Sequence, residues 1–326
     1  MALNLRQRVI ERLQNLPDTQ QTARELAQWI FEQFPAECAI KKAGSASYIQ
    51  TDNDLVQQLV AEISGSRPRW QQMHPQLKTT EGRPRHYYWS DMDANAEVAA
   101  AEGVTLVPSD LAEPSPLREH ALYPFLAEYL LTDEQRVYAM RINEKRSSNR
   151  AGSGGNEWLH PDLVGLEDLT ADWTLDLRDC VRVLGERRAR LWSFEVKLLL
   201  NRSNARKSFF QAVSNSSWAH FGYLVAATVE GDGTLKELRM LAAAHGIGVI
   251  QLDVQSPTES QILIPARERS EIDWEMCNRL TEENGDFAEF IGRIRRFHQT
   301  GEVSAREWEA SAYDTHVIAL RVGRRP

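Results

Sequence analysis

The sequence predicts an α/β fold whose main domain is a mixed sheet flanked by helices, preceded by a smaller helical domain that closes in a hairpin. Three observations carry this expectation. From Leu5 to Ile63 apolar residues recur every three or four positions, the period of amphipathic helices. Beyond Glu119, helical segments alternate with short runs rich in Val, Leu, Ile and aromatic residues, as in helices layered on a sheet. The segment RARLWSFEVKLLL, 188–200, is largely apolar on both of its alternating sides, which suits a strand in the middle of a sheet covered on both faces. At 326 residues, 42% hydrophobic and 26% charged, the chain is long enough for two or three packed domains.

In chain order, a first helix runs from Leu5 to Leu16 and a second from Ala23 to Phe34, opened by the capping-type sequence TQQTARE and closed by Pro35. A third, DNDLVQQLVAEI, has Asp52, Asn53 and Asp54 as caps and stops at Gly65. WQQMHPQLKTTEGRPRHYYW reads as two strands joined by a turn at Glu81-Gly82, with Arg83 and Arg85 just past the tip. Three helices followed by a basic hairpin is the order of a winged helix-turn-helix, which accounts for residues 1–90. Residues 91–117, rich in Ala, Pro and acids, read as a linker.

The second domain, 118–326, opens with the helix REHALYPFLAEYLL, the strand RVYAMRI and a polar, Gly-rich loop, NEKRSSNRAGSGGNE. The loop delivers the chain to WLHPDLVG, 158–165, the start of another strand. Trp173, Leu177, Cys180, Val181 and Leu184 mark a helix over about residues 172–184 before the central strand. NRSNARKSFFQAVSNSSWA holds a further helix, followed by the apolar strand Tyr223 to Val229. LKELRMLAAAHGIGVIQLD and SQILIPARE add a helix and two strands, and IDWEMCNRLTEENGDFAEFIGRIRRFH one or two packing helices.

No apolar run approaches the roughly 20 residues of a membrane helix, and MALNLRQRVIERL is amphipathic rather than the apolar core of a signal peptide. A cytoplasmic protein without membrane association is expected. Cys38, Cys180 and Cys277 are odd in number, far apart and without C-x-x-C spacing, which argues against a disulfide framework or a zinc site. The net charge of −8 is uneven: residues 1–90 carry 11 Lys+Arg against 9 Asp+Glu, and the remainder 27 against 37. An acidic total therefore does not exclude nucleic acid, because RPRHYY, NEKRSSNR, NRSNARK and GRIRRF form local basic stripes.

Asp162 stands between Pro161 and an apolar pair, where a carboxylate is costly unless a salt bridge, backbone donors or a metal compensates it. On the central strand Trp192, Phe194, Val196 and Leu198 point one way and Ser193, Glu195, Lys197 and Leu199 the other, so Glu195 and Lys197 are neighbours. An Asp at the end of one strand with Glu-x-Lys on the next suits metal-assisted phosphodiester cleavage. Asp162, Glu195 and the backbone carbonyl of Val196 offer hard oxygens to Mg²⁺, with Mn²⁺ as a substitute. Lys197 would position the metal-activated water or stabilise developing negative charge. Glu-x-Lys is also the pattern of a plain salt bridge. The chain, however, has 7 lysines to 31 arginines, and only Lys197 has an acid two positions before it. On the next helix Asn204, Lys207, Gln211 and Asn215 share a face that could meet the water or a DNA phosphate, while Phe209, Phe210 and Val213 face the sheet; a solvated polar face is the other reading. His160, His220 and His298 read as structural or surface residues and Trp218 as core.

HPDLVG, WSFEVK and QAVSNSSWA, in that order and on those elements, resemble the PD-(D/E)xK nuclease superfamily, which includes many restriction enzymes and whose core runs helix, three strands, helix, strand. With its N-terminal winged helix the chain further resembles an HrgA-like group of bacterial proteins, over roughly residues 118–265 and 1–90. The resemblance implies a restriction-endonuclease-like sheet, metal binding by Asp162 and Glu195, a catalytic Lys197, and Gln211 in the place of a glutamine that some members carry. It also implies an acid on the first core helix, for which Glu119 and Glu128 are candidates, and a role in restriction or defence against foreign DNA. There are two departures: a helix at 172–184 where simpler members have a hairpin, and Asn215 where those members have a tyrosine four residues after the glutamine.

The resulting expectation is a Mg²⁺-dependent deoxyribonuclease acting on double-stranded DNA. Gln57 and Gln58 of the third helix would read bases in the major groove, and Arg83 and Arg85 would contact phosphate or the minor groove. Double-strand cutting would suit a homodimer. The alternative is a non-cleaving winged-helix DNA-binding regulator with a nuclease-like binding domain, in keeping with the modest +2 over residues 1–90.

Overall fold

The computed structural model describes residues 3–17, 19–45, 49–103, 119–132, 135–148, 160–304 and 307–308. The chain divides into two units, one of residues 1–97 with 229–235 and the other of 98–228 with 236–326.

The first unit contains α1 (Leu5–Gln14), β1 (Gln21–Thr22), α2 (Ala23–Gln33), α3 (Pro35–Ala43), α4 (Asp52–Met73), β2 (Leu77–Thr79) and β3 (His86–Trp89). Thr22 and Glu25 form a reciprocal capping box that starts α2. Pro35 ends α2 as expected and also begins α3, a helix absent from the sequence reading; proline is well suited to a first helical position because that N–H has no partner anyway. Thr51, paired with Asp54, caps α4 in place of the three residues after it. The helix does not stop at Gly65. It runs through Pro68 to Met73, so the WQQM segment expected as strand is helical. Ile63, Arg67 and Trp70 are buried along one side of this extension, and their packing overrides the local preferences of Gly65 and Pro68.

The hairpin is correspondingly shorter, with Leu77 opposite Trp89 and Thr79 opposite Tyr87. β1 pairs with the other edge of β3, giving a three-stranded antiparallel sheet in the order β1-β3-β2. Leu13, Leu26, Ile30, Leu55, Leu59 and Tyr87 fill the core between helices and sheet. A buried ion cluster secures the turn: Arg85 donates to Glu81 at 2.8 Å, and Arg67 lies 3.7 Å from Glu81 and 2.9 Å from Asp232. α5 (Ala94–Gly103) occupies the start of the segment read as linker, where a run of strong helix formers follows Asp93, whose side chain accepts the Ala96 amide at 2.8 Å. Residues 104–117 lie outside the described residues.

The second unit is a six-stranded mixed sheet flanked by helices. Its elements are α6 (Tyr123–Leu130), β4 (Val137–Arg141), β5 (Leu163–Asp168), α7 (Leu175–Leu184), β6 (Ala189–Leu200), α8 (Ala205–Ser214), β7 (Phe221–Val229), α9 (Asp232–His245), β8 (Gly248–Gln251), β9 (Gln261–Ile264), α10 (Trp274–Glu283) and α11 (Gly285–Thr300). The strand order is β4-β5-β6-β7-β8-β9, antiparallel through β4, β5 and β6, parallel at β7–β8 and antiparallel again at β9. Apart from α7, which stands between the second and third strands, the order is helix, three strands, helix, strand, followed by a helix and two strands.

β6 lies inside the sheet and feeds both cores. Trp192, Phe194 and Val196 pack with Tyr123, Leu126 and Leu130 of α6, and Leu191 joins Trp218 and the α11 residues Phe287, Phe290 and Phe297. Trp218 is fully buried, edge-on to Phe287 at 4.9 Å and Phe290 at 5.7 Å, as a core residue should be. α7 forms where its spacing predicts and ends on Gly185, whose positive φ of 72° closes the helix. None of its residues is buried, and Leu175, Val183 and Leu184 are exposed. Among the described residues no helix is long and apolar enough to cross a membrane.

Gly248 lets β8 pass close to its neighbours: a Cβ there would lie 2.2 Å from Cε1 of Tyr223 and 2.7 Å from the backbone nitrogen of Ala266. Gly248→Ala is expected to lower stability to urea by about 1–3 kcal/mol through overpacking. An unchanged midpoint would contradict this packing of β8.

Candidate active site

The β5–β6 ladder opens with Leu163 opposite Phe194, which brings Asp162, the residue before β5, level with Glu195. The Asp162 amide donates to the Phe194 carbonyl at 3.0 Å, and the Val196 amide donates to Asp162 Oδ2 at 2.7 Å. Asp162 Oδ1 accepts the Tyr123 hydroxyl at 2.8 Å. The carboxylate between a proline and an apolar pair is thus held by one backbone and one phenolic donor.

Glu195 is 5% exposed. Lys197 donates to Glu195 Oε1 at 2.9 Å and lies 3.3 Å from Glu119 Oε1, in the short 3₁₀ turn that leads into α6. Asn215 Nδ2 donates to Glu195 Oε2 at 3.0 Å. Asn215 caps the C-terminus of α8, and its backbone carbonyl accepts the Ser193 hydroxyl at 2.9 Å and the Trp218 indole N–H at 2.8 Å. The sequence pattern placed Asn215 on a polar helix face and as a departure from a motif, without assigning it to Glu195. The signal was present in NSSW, since an indole three residues beyond an Asn can fold back onto its carbonyl. Of the polar face expected on α8, Gln211 and Asn215 are buried, whereas Lys207 is exposed.

The electrostatics follow from three acids sharing one ammonium. Burial raises the pKa of Glu195 and the nearby Asp162 charge adds to it; Lys197 and Asn215 offset this only in part. Glu119 is also raised, by burial that Lys197 does not fully counter. For Lys197 burial alone would favour the neutral amine, but Glu195, Asp162 and Glu119 outweigh it and hold the ammonium protonated.

These side chains line a cavity of about 660 Å³, together with Lys207 and Gln211. Asn204 also lines it, but its side chain accepts the Asn201 amide at 3.0 Å and donates to the Leu199 carbonyl at 2.8 Å, so it shapes the turn from β6 into α8. Glu128 is not among the lining residues, which leaves Glu119 as the acid contributed from the start of the core helix. His160 is buried at the cavity wall with Nε2 3.1 Å from Ser147 Oγ; burial lowers its pKa and favours the neutral ring. His220 accepts the Leu191 amide at 2.9 Å and is structural.

Gln57, Gln58, Arg83 and Arg85 belong to the first unit. Gln57 is exposed on α4, while Gln58 donates to Glu62 one turn on at 2.9 Å. Arg83 is exposed in the turn, whereas Arg85 is half-buried and tied to Glu81.

Among the described residues no group of three or more His, Cys, Asp or Glu side chains is arranged to hold a metal ion. The donor chemistry on hand is the oxygens of Asp162 and Glu195, each accepting one of the hydrogen bonds above and keeping further acceptor capacity. Hard oxygens with surplus negative charge fit Mg²⁺ or Mn²⁺ rather than a soft metal. No protein-family profile, curated protein or solved structure matches the chain.

Glu195 binds its proton more tightly folded than unfolded, so from the ordinary value of 4.5 up to its raised native value the folded state holds more protons and loses stability as pH rises. Glu195→Gln, a mimic of the neutral acid, is expected to melt above the wild type in EDTA at about pH 8 and together with it at about pH 5. Equal melting at both pH values would mean that ionised Glu195 carries no penalty in the fold.

Proposed function

We propose that this protein is a metal-dependent DNA endonuclease of PD-(D/E)xK type, hydrolysing phosphodiester bonds in restriction or defence against foreign DNA. The observation that carries the reading is the convergence at one cavity of two carboxylates brought level by the β5–β6 ladder, Asp162 and Glu195, with the Lys197 ammonium 2.9 Å from Glu195. Asp162 and Glu195, with the Val196 carbonyl between the strand's acid and its lysine, would hold Mg²⁺. The bound ion supplies Lewis-acid charge and lowers the pKa of a coordinated water.

The chain's own residues do the remaining work. Lys197, kept protonated by its acidic neighbours, presents an ammonium beside the carboxylates, where it neutralises charge on a phosphate oxygen and orients the attacking water. Tyr123 and the Val196 amide fix the direction of the Asp162 carboxylate. Glu119, whose raised pKa favours a protonated carboxyl, can hold a proton next to Lys197. Lys207, exposed at the cavity, meets a flanking DNA phosphate, and buried Gln211 lies at the wall against the reacting strand.

In the first unit the succession of helix, strand, helices and hairpin, with β1 added to the edge of β3, supports the winged-helix reading. Gln57 and Arg83 are the exposed residues there suited to duplex contact, with Gln58 and Arg85 able to join them only by giving up internal bonds. The second reading, a non-cleaving DNA-binding regulator, is favoured by a specific feature: Lys197 already takes Glu195 Oε1, and no three-ligand metal group exists among the described residues.

Plasmid and linear DNA incubated with the protein and Mg²⁺ or Mn²⁺ should be cut, and EDTA should stop the reaction. Lys197→Ala is expected to slow cutting by about 10²–10³-fold or more, as loss of a charge-stabilising donor does, while DNA binding persists. Binding without cleavage across modified and unmodified DNA would establish the regulator instead.

A further inference from the structure

Asn215 does more than end α8. Its one side-chain nitrogen donates to two acceptors far apart in the chain: Glu195 Oε2 on β6 at 3.0 Å, and the carbonyl of His160, in the segment leading to β5, at 2.9 Å, two residues before Asp162. The amide's place is set from the core, because the Asn215 carbonyl is held by Ser193 and by Trp218, which is itself wedged against Phe287 and Phe290. Asn215 is 1% exposed, and its Oδ1 is buried without a hydrogen-bond partner.

That orphaned oxygen is informative. A buried acceptor left unpaired destabilises the fold, and a small apolar residue at the end of α8 would avoid it. What such a residue would lose is an NH₂ group with two donors on one atom, which among uncharged side chains only an amide supplies. The arrangement therefore keeps a costly residue for the sake of both donations. One donation reaches a carboxylate at the cavity and the other the segment that positions the second carboxylate.

We infer that Asn215 is a positioning residue of the metal site, a clamp that ties Glu195 to the Asp162-bearing segment and fixes the spacing of the two carboxylates before a cation arrives. The inference rests on the reading of Asp162 and Glu195 as metal ligands. Without the clamp Glu195 keeps Lys197 as a partner but is free to turn about its own torsions, and the cation must organise the pair as it binds. The effect belongs in metal affinity more than in the rate at saturating metal. Outer partners of ligating carboxylates are typically worth about 10–100-fold in metal affinity.

The test is calorimetric titration of Mn²⁺ into the full-length wild type, Asn215→Ala and Asn215→Ser without DNA, together with cleavage rates across a range of Mn²⁺ concentrations. Asn215→Ala is expected to bind Mn²⁺ about 10–100-fold more weakly, to shift the half-saturating Mn²⁺ for cleavage by the same factor, and to keep most of the rate at saturation. Asn215→Ser, which retains a single donor, should fall between. A folded Asn215→Ala that binds Mn²⁺ as tightly as the wild type overturns the clamp and leaves the nuclease reading standing. Loss of the fold in both variants also overturns it, because Asn215 would then be a core residue. A wild type that binds no Mn²⁺ removes the metal site itself and the clamp with it.

Discussion

The second unit is organised around one awkward fact: a carboxylate on an interior strand of its sheet, 5% exposed, with a second carboxylate level with it on the next strand. Charges of like sign that share a buried place must be offset or protonated. Every polar group drawn into the region answers that demand. Lys197 brings an ammonium to Glu195, Asn215 brings an amide, and Tyr123 and the Val196 amide hold Asp162, while Glu119 competes for the lysine. The hydrogen bonds are local, but their placement depends on long-range features: α6 must lie on one side to bring Tyr123, and α8 must end at the right level to bring Asn215. At the cavity the alternating apolar code of β6 gives way to charge.

Much of this was legible in the sequence because β6 follows a strict two-residue period. Alternation alone put Glu195 and Lys197 side by side and Trp192, Phe194 and Val196 on the opposite face, and antiparallel pairing of β5 then brought Asp162 alongside. The six strands and their intervening helices followed from similar patterns. What escaped were features decided by tertiary packing. Gly65 and Pro68 are strong local signals for a helix end, yet the burial of Ile63, Arg67 and Trp70 carries α4 past both. For Asn215 and Gln211 the polar face was compatible with a role at the site or with plain solvation, because polarity alone does not say whether a helix face meets water or buried acids.

The basic residues of the first unit teach the same lesson from the other side. Arg85, read as a contact for phosphate, is paired with buried Glu81, and Arg67, which carried no expectation, is buried with Glu81 and Asp232. Glu81 stands four residues before Arg85, but Asp232 is remote in the chain, and no local pattern could reveal that it joins them. Burial raises the pKa of Glu81 and Arg85 offsets this in part, which makes Arg85 a support of the turn before it is anything else. A charge stripe measures how much charge a segment holds and leaves open how much of it remains for a partner.

The excursion through α7 bears on how this protein can be handled. β5 and β6 remain paired from Leu163 and Phe194 to Asp168 and Ala189, and only then does the chain depart into the helix and return. Six residues of strand, about 20 Å, separate that departure from Asp162. The ladder closes independently of what lies between its far ends, so an alteration in the length or content of the excursion need not shift the two acids. Cys180 sits on it as the sole exposed thiol of the chain's three, a ready attachment point for a reporter dye or a surface tether at a remove from the cavity.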